Sequence, residues 1–347
     1  MDAYDQKYVP VPFALYNNSA ICHFNSLLQA LASCPAAVKA VLTNKDYMER
    51  TKTGKALYAF MDTMINKDAA GIEPHSRHVI AALIDDLDTR KAKMKMKFGR
   101  SQESASEGLV YLLDMVEPPD AKEGETHPLT SVFAHRYRCN TACQECKRVR
   151  SSDLVDYAVQ FNMFRNDGVI AKVDSPEKFA AVIRLYSTET EDYYCATCKK
   201  KVTAMRGFKL VMIPEIAVCL FNIYEGTRAD KYIAKHMEIP STVGPNKAMR
   251  YGLVATVEHT GSLAGGHYTA RGLRCDGNFY VLDDTRVART EPPESYGNKN
   301  TYLAFYHYMS TVSVDASLAV LRTTASLETI TEDLKKVSTS DAVTHVN

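Results

Sequence analysis

The sequence predicts an α+β fold, and three observations carry that prediction. Segments with helical periodicity dominate from Cys22 to about residue 115. Short segments rich in Val, Ile, Tyr and Phe, separated by Gly, Pro, Asn and Asp, dominate from about residue 130. Two Cys-x-x-Cys pairs stand within the strand-rich half. Helices first and strands afterwards is the pattern of an α+β protein, because alternating βαβ units are missing from it.

The elements follow in chain order. The opening residues, MDAYDQKYVPVP, lack the charged-then-apolar signature of a secretory leader. Phe24, Leu27, Leu28 and Leu31 fall at i, i+3, i+4, i+7 and predict a helix over 22–33 that Pro35 stops. Residues 36–115 read as mostly helical. Within them Leu109, Leu112, Leu113 and Val116 repeat the same spacing before Pro118-Pro119. The run from Arg90 to Arg100, RKAKMKMKFGR, reads as a solvated helix face ahead of a phosphate or acidic-partner site. KLVMI, EIAVCLFNIY, YGLVATVEHT, GGHYTAR, NFYVLDD and TYLAFYHY then read as strands, mostly antiparallel because they follow one another so closely. The Ser/Thr-rich end, 310–347, is an appendage with an amphipathic pattern through Leu318, Leu321 and Leu327.

Composition narrows the class. The 347 residues allow a substantial core in one large domain or two modest ones. Forty-two Lys and Arg against 41 Asp and Glu give no basis for nucleic-acid binding by bulk charge. No apolar run approaches the roughly 18 residues a membrane span needs, so the reading is soluble and intracellular, cytoplasmic or nuclear. Nine cysteines, an odd number in a reducing setting, do not make a disulfide scaffold. Their spacing says more. Cys143 and Cys146 form one knuckle, and Cys195 and Cys198 another. Two such knuckles supply the four thiolates of a tetrahedral structural zinc site. The long separation means that zinc would clamp two distant hairpins. Four ordinary reduced thiols are the alternative, and Cys139 is a stray fifth candidate.

A cysteine nucleophile needs a base, a group that orients the base, and donors aimed at the oxyanion. Cys22 stands at a predicted helix N-terminus, where the dipole lowers a thiol pKa. Asn17 precedes it on the approach loop. His267 follows Gly265 and Gly266, whose missing side chains suit a narrow channel. Asp283 begins the turn after the next apolar strand, and a hairpin would set it beside His267. Each has a plainer reading: a buried thiol, a turn histidine, a turn former.

The same residues resemble a known family. ALYNNSAICHFNSLLQAL resembles the cysteine box of the ubiquitin-specific proteases, G-L-x-N-x-G-N-T-C-Y-x-N-S-x-L-Q. YGLVATVEHTGSLAGGHYTAR, NFYVLDD and YLAFYHY resemble their histidine box and closing strands. SQESASEGLVYLLDMV and IPEIAVCLFNIY are similar to two further family segments, and the resemblance spans about 11–309 in order.

It implies a papain-like fold of palm, thumb and fingers: a helical thumb over about 11–130, fingers and part of the palm over about 131–250, and the histidine-box palm over about 251–309. Together these make a catalytic domain over 1–310, with 311–347 as a tail. It further implies Cys22 as nucleophile, His267 as base, Asp283 as orienter, Asn17 as oxyanion donor and Asp284 as a support. Gly265, Gly266, Tyr268 and Glu107 would line the channel for a Gly-Gly tail. Structural zinc would sit on Cys143, Cys146, Cys195 and Cys198. The implied activity is thiol-dependent hydrolysis after the C-terminal glycine of ubiquitin, by a monomer whose partners are ubiquitin or ubiquitinated proteins, with neither nucleic acid nor membrane. A protease for another ubiquitin-like modifier, or a silent ubiquitin-binding scaffold, are the alternatives.

The departures from the pattern bear on these alternatives. Ser19, Ala20 and Ile21 replace Gly-Asn-Thr, His23 replaces Tyr, and Gly108 replaces Phe. Ser104 replaces the aspartate that grips the modifier's basic tail, a charge-assisted contact of about 1.5–3 kcal/mol. Glu103 and Glu107 are the nearby carboxylates that would compensate.

Overall fold

The computed structural model describes residues 5–17, 21–66, 69–90, 104–122, 124–161, 185–221, 223, 233–240, 247–262, 265–292 and 299–313. The basic run after Arg90, Ser19, Ala20, Glu103 and the tail from 314 lie outside them.

Helix α1 (Cys22–Ala32) is the helix that the leucine spacing predicts, and all of its residues are buried. A helix covered on every side must sit inside the fold. Phe24, Leu27 and Leu28 are fully buried, each stabilising by about 1.5–3 kcal/mol relative to an exposed side chain. Pro35 does more than stop α1, because it is the first residue of α2 (Pro35–Leu42), where a missing N–H costs nothing. Helices α3 (Lys45–Met48), α4 (Lys52–Ile65), α5 (Ala69–Arg90) and α6 (Ala105–Val116) complete the predicted helical stretch. Leu109, Leu112, Leu113 and Val116 of α6 all face the core. A last short helix, α7 (Pro128–Phe133), leads to the strands.

Two sheets follow. The smaller contains β1 (His135–Cys143), β2 (Val149–Asp156), β4 (Leu185–Cys195) and β5 (Lys200–Met212) in the order β2-β1-β5-β4, all antiparallel. The larger also includes β3 (Val159–Phe161), β6 (Ile216–Phe221), β7 (His236–Pro240), β8 (Lys247–Ser262), β9 (Gly265–Leu273), β10 (Phe279–Asp283), β11 (Arg286–Thr290) and β12 (Thr301–Ser313). Its order is β11-β10-β9-β8-β12-β6-β3, with β7 beside β8. The six strand segments quoted from the sequence all fall on its strands or on the end of β5. One hydrophobic core joins the helices to this sheet.

Period-2 alternation explains how the sheet receives α1. On β9, Tyr268, Ala270 and Gly272 are buried while their neighbours are partly exposed. That face meets α1.

Candidate active site

Three elements converge on Cys22. The N-terminal segment runs beside the β10–β11 turn, where the Leu15 N–H donates to the Asp284 carbonyl at 3.0 Å. Helix α1 begins at Cys22 without a side-chain cap. The backbone N–H groups of Cys22 and His23 are therefore turned toward the Cys22 sulfur, and the Tyr268 N–H of β9 also favours the thiolate. These donors do not win. Burial pushes the Cys22 thiol above its ordinary range, and the Asp284 carboxylate adds to the rise. The helix-terminus argument anticipates a lowered pKa. The structure reverses it because Cys22 is only 3% exposed.

His267 and Asp283 meet as the β9–β10 hairpin requires, with His267 Nε2 at 2.6 Å from Asp283 Oδ1. A carboxylate only accepts, so Nε2 carries the hydrogen, and in the neutral ring the lone pair is on Nδ1. The second aspartate does something else. Asp284 takes a left-handed backbone, φ 49°, which a short polar side chain tolerates in a two-residue turn. Its carboxylate then accepts from Asn17 Nδ2 at 2.9 Å and from Asn25 Nδ2 at 2.8 Å. It lies 3.9 Å from His267 Nε2. Asn17 and Asn25 are thus held by one charged acceptor. The sequence reading overlooked Asn25. The available signal was a run of polar residues, Asn25, Ser26 and Gln29, in a helix buried all round, where each must find a partner.

The residues expected to line a tail channel divide. Gly265 and Gly266 are partly exposed on β9. A Cβ on Gly266 would stand 2.3 Å from the Thr260 carbonyl and 2.4 Å from His259 Nε2, so this close approach is to the glycine's own hairpin partner. Tyr268 is buried, its ring 4.4 Å from His259 and 5.9 Å from Tyr302. Glu107 is exposed in the first turn of α6. Ser104 caps that helix, and its hydroxyl lies 2.7 Å from both Ser106 Oγ and Tyr302 Oη. Hydroxyls therefore stand where the family has a carboxylate.

Far along the chain, Cys143, Cys146, Cys195 and Cys198 bring their sulfurs together, all within 4.8 Å. Cys143 and Cys198 are 3.8 Å apart, and Cys146 and Cys195 are 3.7 Å apart. A disulfide would require about 2.05 Å, whereas a tetrahedron with Zn–S of about 2.3 Å has edges of about 3.8 Å. Each knuckle bends its second backbone N–H onto its first sulfur, Cys146 N to Cys143 Sγ at 3.4 Å and Cys198 N to Cys195 Sγ at 3.5 Å. Lys147 and Lys199, next in each knuckle, both adopt the left-handed backbone, with φ 59° and 54°. The four thiols fit a structural zinc and leave no position for substrate. Cys139 is buried four residues earlier and its Sγ faces Thr141; it is not part of the cluster.

The helical half packs through α1, which begins at the buried Cys22, on the strand that carries His267 beside Asp283; helical and sheet halves joined in this way make the fold of a papain-like cysteine peptidase. The ubiquitin carboxyl-terminal hydrolase model matches residues 13–306, and the chain belongs to that family. Curated relatives include ubiquitin carboxyl-terminal hydrolase 36 of Drosophila pseudoobscura pseudoobscura, 27% identical over 322 residues, covering 84% of this chain and 29% of the relative. The Drosophila melanogaster protein is 28% identical over 317 residues, with 84% and 29% covered. The chain thus spans less than a third of the length of these relatives. Among solved structures it resembles the SAGA Ubp8/Sgf11/Sus1/Sgf73 DUB module bound to ubiquitin aldehyde, with TM-score 0.66, 14% identity, and 90% of this chain and 71% of the other covered. The yeast SAGA DUB module with an Sgf73 mutant gives TM-score 0.64 at 14% identity, covering 90% and 70%. At that identity the likeness establishes the fold. Among the described residues no helix is long and apolar enough to cross a membrane.

A testable consequence follows from Asp284. Its negative charge disfavours the Cys22 thiolate, so Asp284→Asn is expected to lower the Cys22 thiol pKa. The pH dependence of Cys22 alkylation by iodoacetamide, read by mass spectrometry, should move to lower pH. An unmoved or upward-shifted curve would contradict the electrostatic assignment.

Proposed function

We propose that the chain is a thiol-dependent deubiquitinase that hydrolyses the isopeptide or peptide bond after the C-terminal glycine of ubiquitin. The observation that carries this reading is the 2.6 Å His267–Asp283 contact on strands packed against the N-terminus of the Cys22 helix. Because the resting thiol is pushed up by burial, it needs a base. Neutral His267 takes the Cys22 proton at Nδ1 while Asp283 holds Nε2–H. The thiolate sulfur adds to the glycine carbonyl carbon, and the oxyanion is met by the Cys22 backbone N–H and by Asn17, whose amide Asp284 turns and holds. His267 then gives its proton to the leaving amine and a thioester forms. Water, deprotonated by His267, attacks that thioester and releases the glycine carboxylate and the Cys22 thiol.

Structural zinc on the four knuckle cysteines would hold the fingers sheet and take no part in the chemistry. The partners are ubiquitin and ubiquitinated proteins, met by a monomer in the cytoplasm or nucleus. The domain spans given above, thumb, fingers and palm, go with this reading.

Ubiquitin carrying a C-terminal electrophile tests it directly. The expected result is one covalent adduct, mapped to Cys22 by mass spectrometry and absent in Cys22→Ala. A folded wild-type protein that forms no adduct would refute the proposal. The hydroxyl cluster of Ser104, Ser106 and Tyr302 supports a second reading, a modifier with a less basic tail. A panel of electrophilic ubiquitin-like proteins run beside ubiquitin separates the two by relative rate.

A further inference from the structure

Arg274 is 1% exposed and is the largest fully buried side chain among the described residues. It follows β9, and its backbone is pinned in the turn before β10: the Arg274 N–H donates to the Asn278 carbonyl at 3.0 Å and its own carbonyl accepts from Gly277 at 2.8 Å. The guanidinium crosses to α1. Nη1 donates to Ser33 Oγ at 2.5 Å and to the Leu273 carbonyl at 2.9 Å, and Nη2 donates to Gln29 Oε1 at 2.5 Å. The guanidinium carbon lies 5.2 Å from the centre of the Phe13 ring. Gln29 in turn donates from Nε2 to the Phe13 carbonyl at 2.9 Å. Among the described residues no carboxylate accepts from Arg274; burial pulls its pKa down to about 9, which leaves it charged at neutral pH.

A buried arginine with no carboxylate hydrogen-bonded to it is costly, and simple packing would be served better by an apolar side chain. What it gains is geometry, because a planar fork fixes direction in a way that an aliphatic contact does not. The three segments it joins are the segments that bear the proposed machinery. The N-terminal segment bears Asn17, α1 bears Cys22 and Asn25, and β9 bears His267. On the face of β9 that meets α1, Tyr268 lies at the Cys22 end with Ala270 and Gly272 beyond it, and Arg274 stands just past the strand's other end. Gly272 is part of the device: a Cβ there would stand 2.2 Å from Ser33 Oγ and 2.9 Å from Arg274 Nη1. The helix is therefore attached to the strand at both ends of their contact. One end alone would leave α1 able to pivot, and Gln29 lies two helical turns, roughly 10 Å, from Cys22.

We propose that Arg274, seated by Gly272, is a positioning residue that sets the register of the nucleophile helix against the histidine strand through Gln29 and Ser33. This rests on the thiol-peptidase reading of Cys22 and His267. Arg274 is buried and does not reach the surface where substrate binds, so its loss changes the placement of Cys22 relative to His267 and leaves the modifier surface alone.

The test uses the full chain, with Arg274→Met, Arg274→Lys and the milder Ser33→Ala, and two readouts. For a ubiquitin C-terminal fluorogenic amide, kcat should fall 10- to 100-fold in Arg274→Met and severalfold in Ser33→Ala, with KM within about twofold. Arg274→Lys, which keeps the charge but loses the fork, should not restore kcat. In parallel, the pH dependence of Cys22 alkylation should lose or shift its histidine-coupled limb in Arg274→Met. A purely structural role would lower the melting temperature and the active fraction but leave the profile of the remaining folded enzyme unchanged. Wild-type kcat and an unshifted profile in folded Arg274→Met overturn the inference. Should that variant not fold, the same outcome in Ser33→Ala overturns it. A wild-type chain that alkylates normally yet cleaves no ubiquitin substrate would instead overturn the functional reading, and the alkylation profiles would still decide the role of Arg274.

Discussion

Replacing His267 with alanine is expected to lower kcat for a ubiquitin C-terminal amide by about 10⁴-fold, roughly 5.5 kcal/mol of barrier. The size follows from the state of the nucleophile. In many cysteine enzymes a helix N-terminus alone keeps part of the thiol ionised. Here burial and the Asp284 charge push the Cys22 thiol up, so little thiolate exists near neutral pH unless a base removes the proton. The variant loses that base and also the acid that protonates the leaving amine, two contributions of about 10²–10⁴ each. Its residual rate should climb steeply with pH, because only solvent can then ionise the thiol. Ubiquitin affinity, measured by titration with Cys22→Ala as the reference, should stay within about twofold. Asp283→Asn makes the informative contrast. An asparagine oxygen can still accept from Nε2–H and keep the tautomer, as in cysteine peptidases that use asparagine, so a much smaller loss than in His267→Ala is expected. More than a tenth of wild-type kcat in His267→Ala would remove histidine from the mechanism.

These numbers depend on facts of unequal legibility. The α1 helix, the β9–β10 hairpin and the two knuckles could be read directly, because each is specified locally by leucine spacing, by an apolar strand next to a turn, or by Cys-x-x-Cys. The direction of the Cys22 shift could not. It depends on how deeply α1 sinks between α6 and the palm sheet, which is a property of tertiary packing. The same limit hid the two-asparagine grip on Asp284, which exists only because that residue turns left-handed at φ 49°. Arg274 reads in sequence as one more surface cation; nothing local says that the chain folds over it. Strand β2 carried a weak signal for the opposite reason. Nearly every residue of β2 is exposed, so no apolar alternation marks it.

That polarity makes metal removal the second large effect. The small sheet has little core at its knuckle end: Cys143, Cys195 and Val202 are buried there, with Cys146, Tyr193 and Cys198 packed around them. Four of those six side chains are the thiols themselves. Taking zinc away leaves like-charged or desolvated sulfurs at 3.7–3.8 Å with almost no hydrophobic burial to replace the bonds. Structural zinc contributes on the order of 10 kcal/mol in small zinc domains, more than Val202 and Tyr193 could supply. One zinc per chain is therefore expected on metal analysis. A strong chelator, or Cys195→Ser, should release it and raise amide exchange by orders of magnitude along β1, β2, β4 and β5. Exchange in α1 and β8 should change little, because those elements belong to the main core, which meets the small sheet through Tyr137, Cys139 and Phe208, away from the knuckle end. Local melting of this kind predicts a first thermal transition that depends on zinc and a second that does not. Unchanged exchange in the small sheet after complete metal removal would show that the four cysteines hold that sheet as thiols alone.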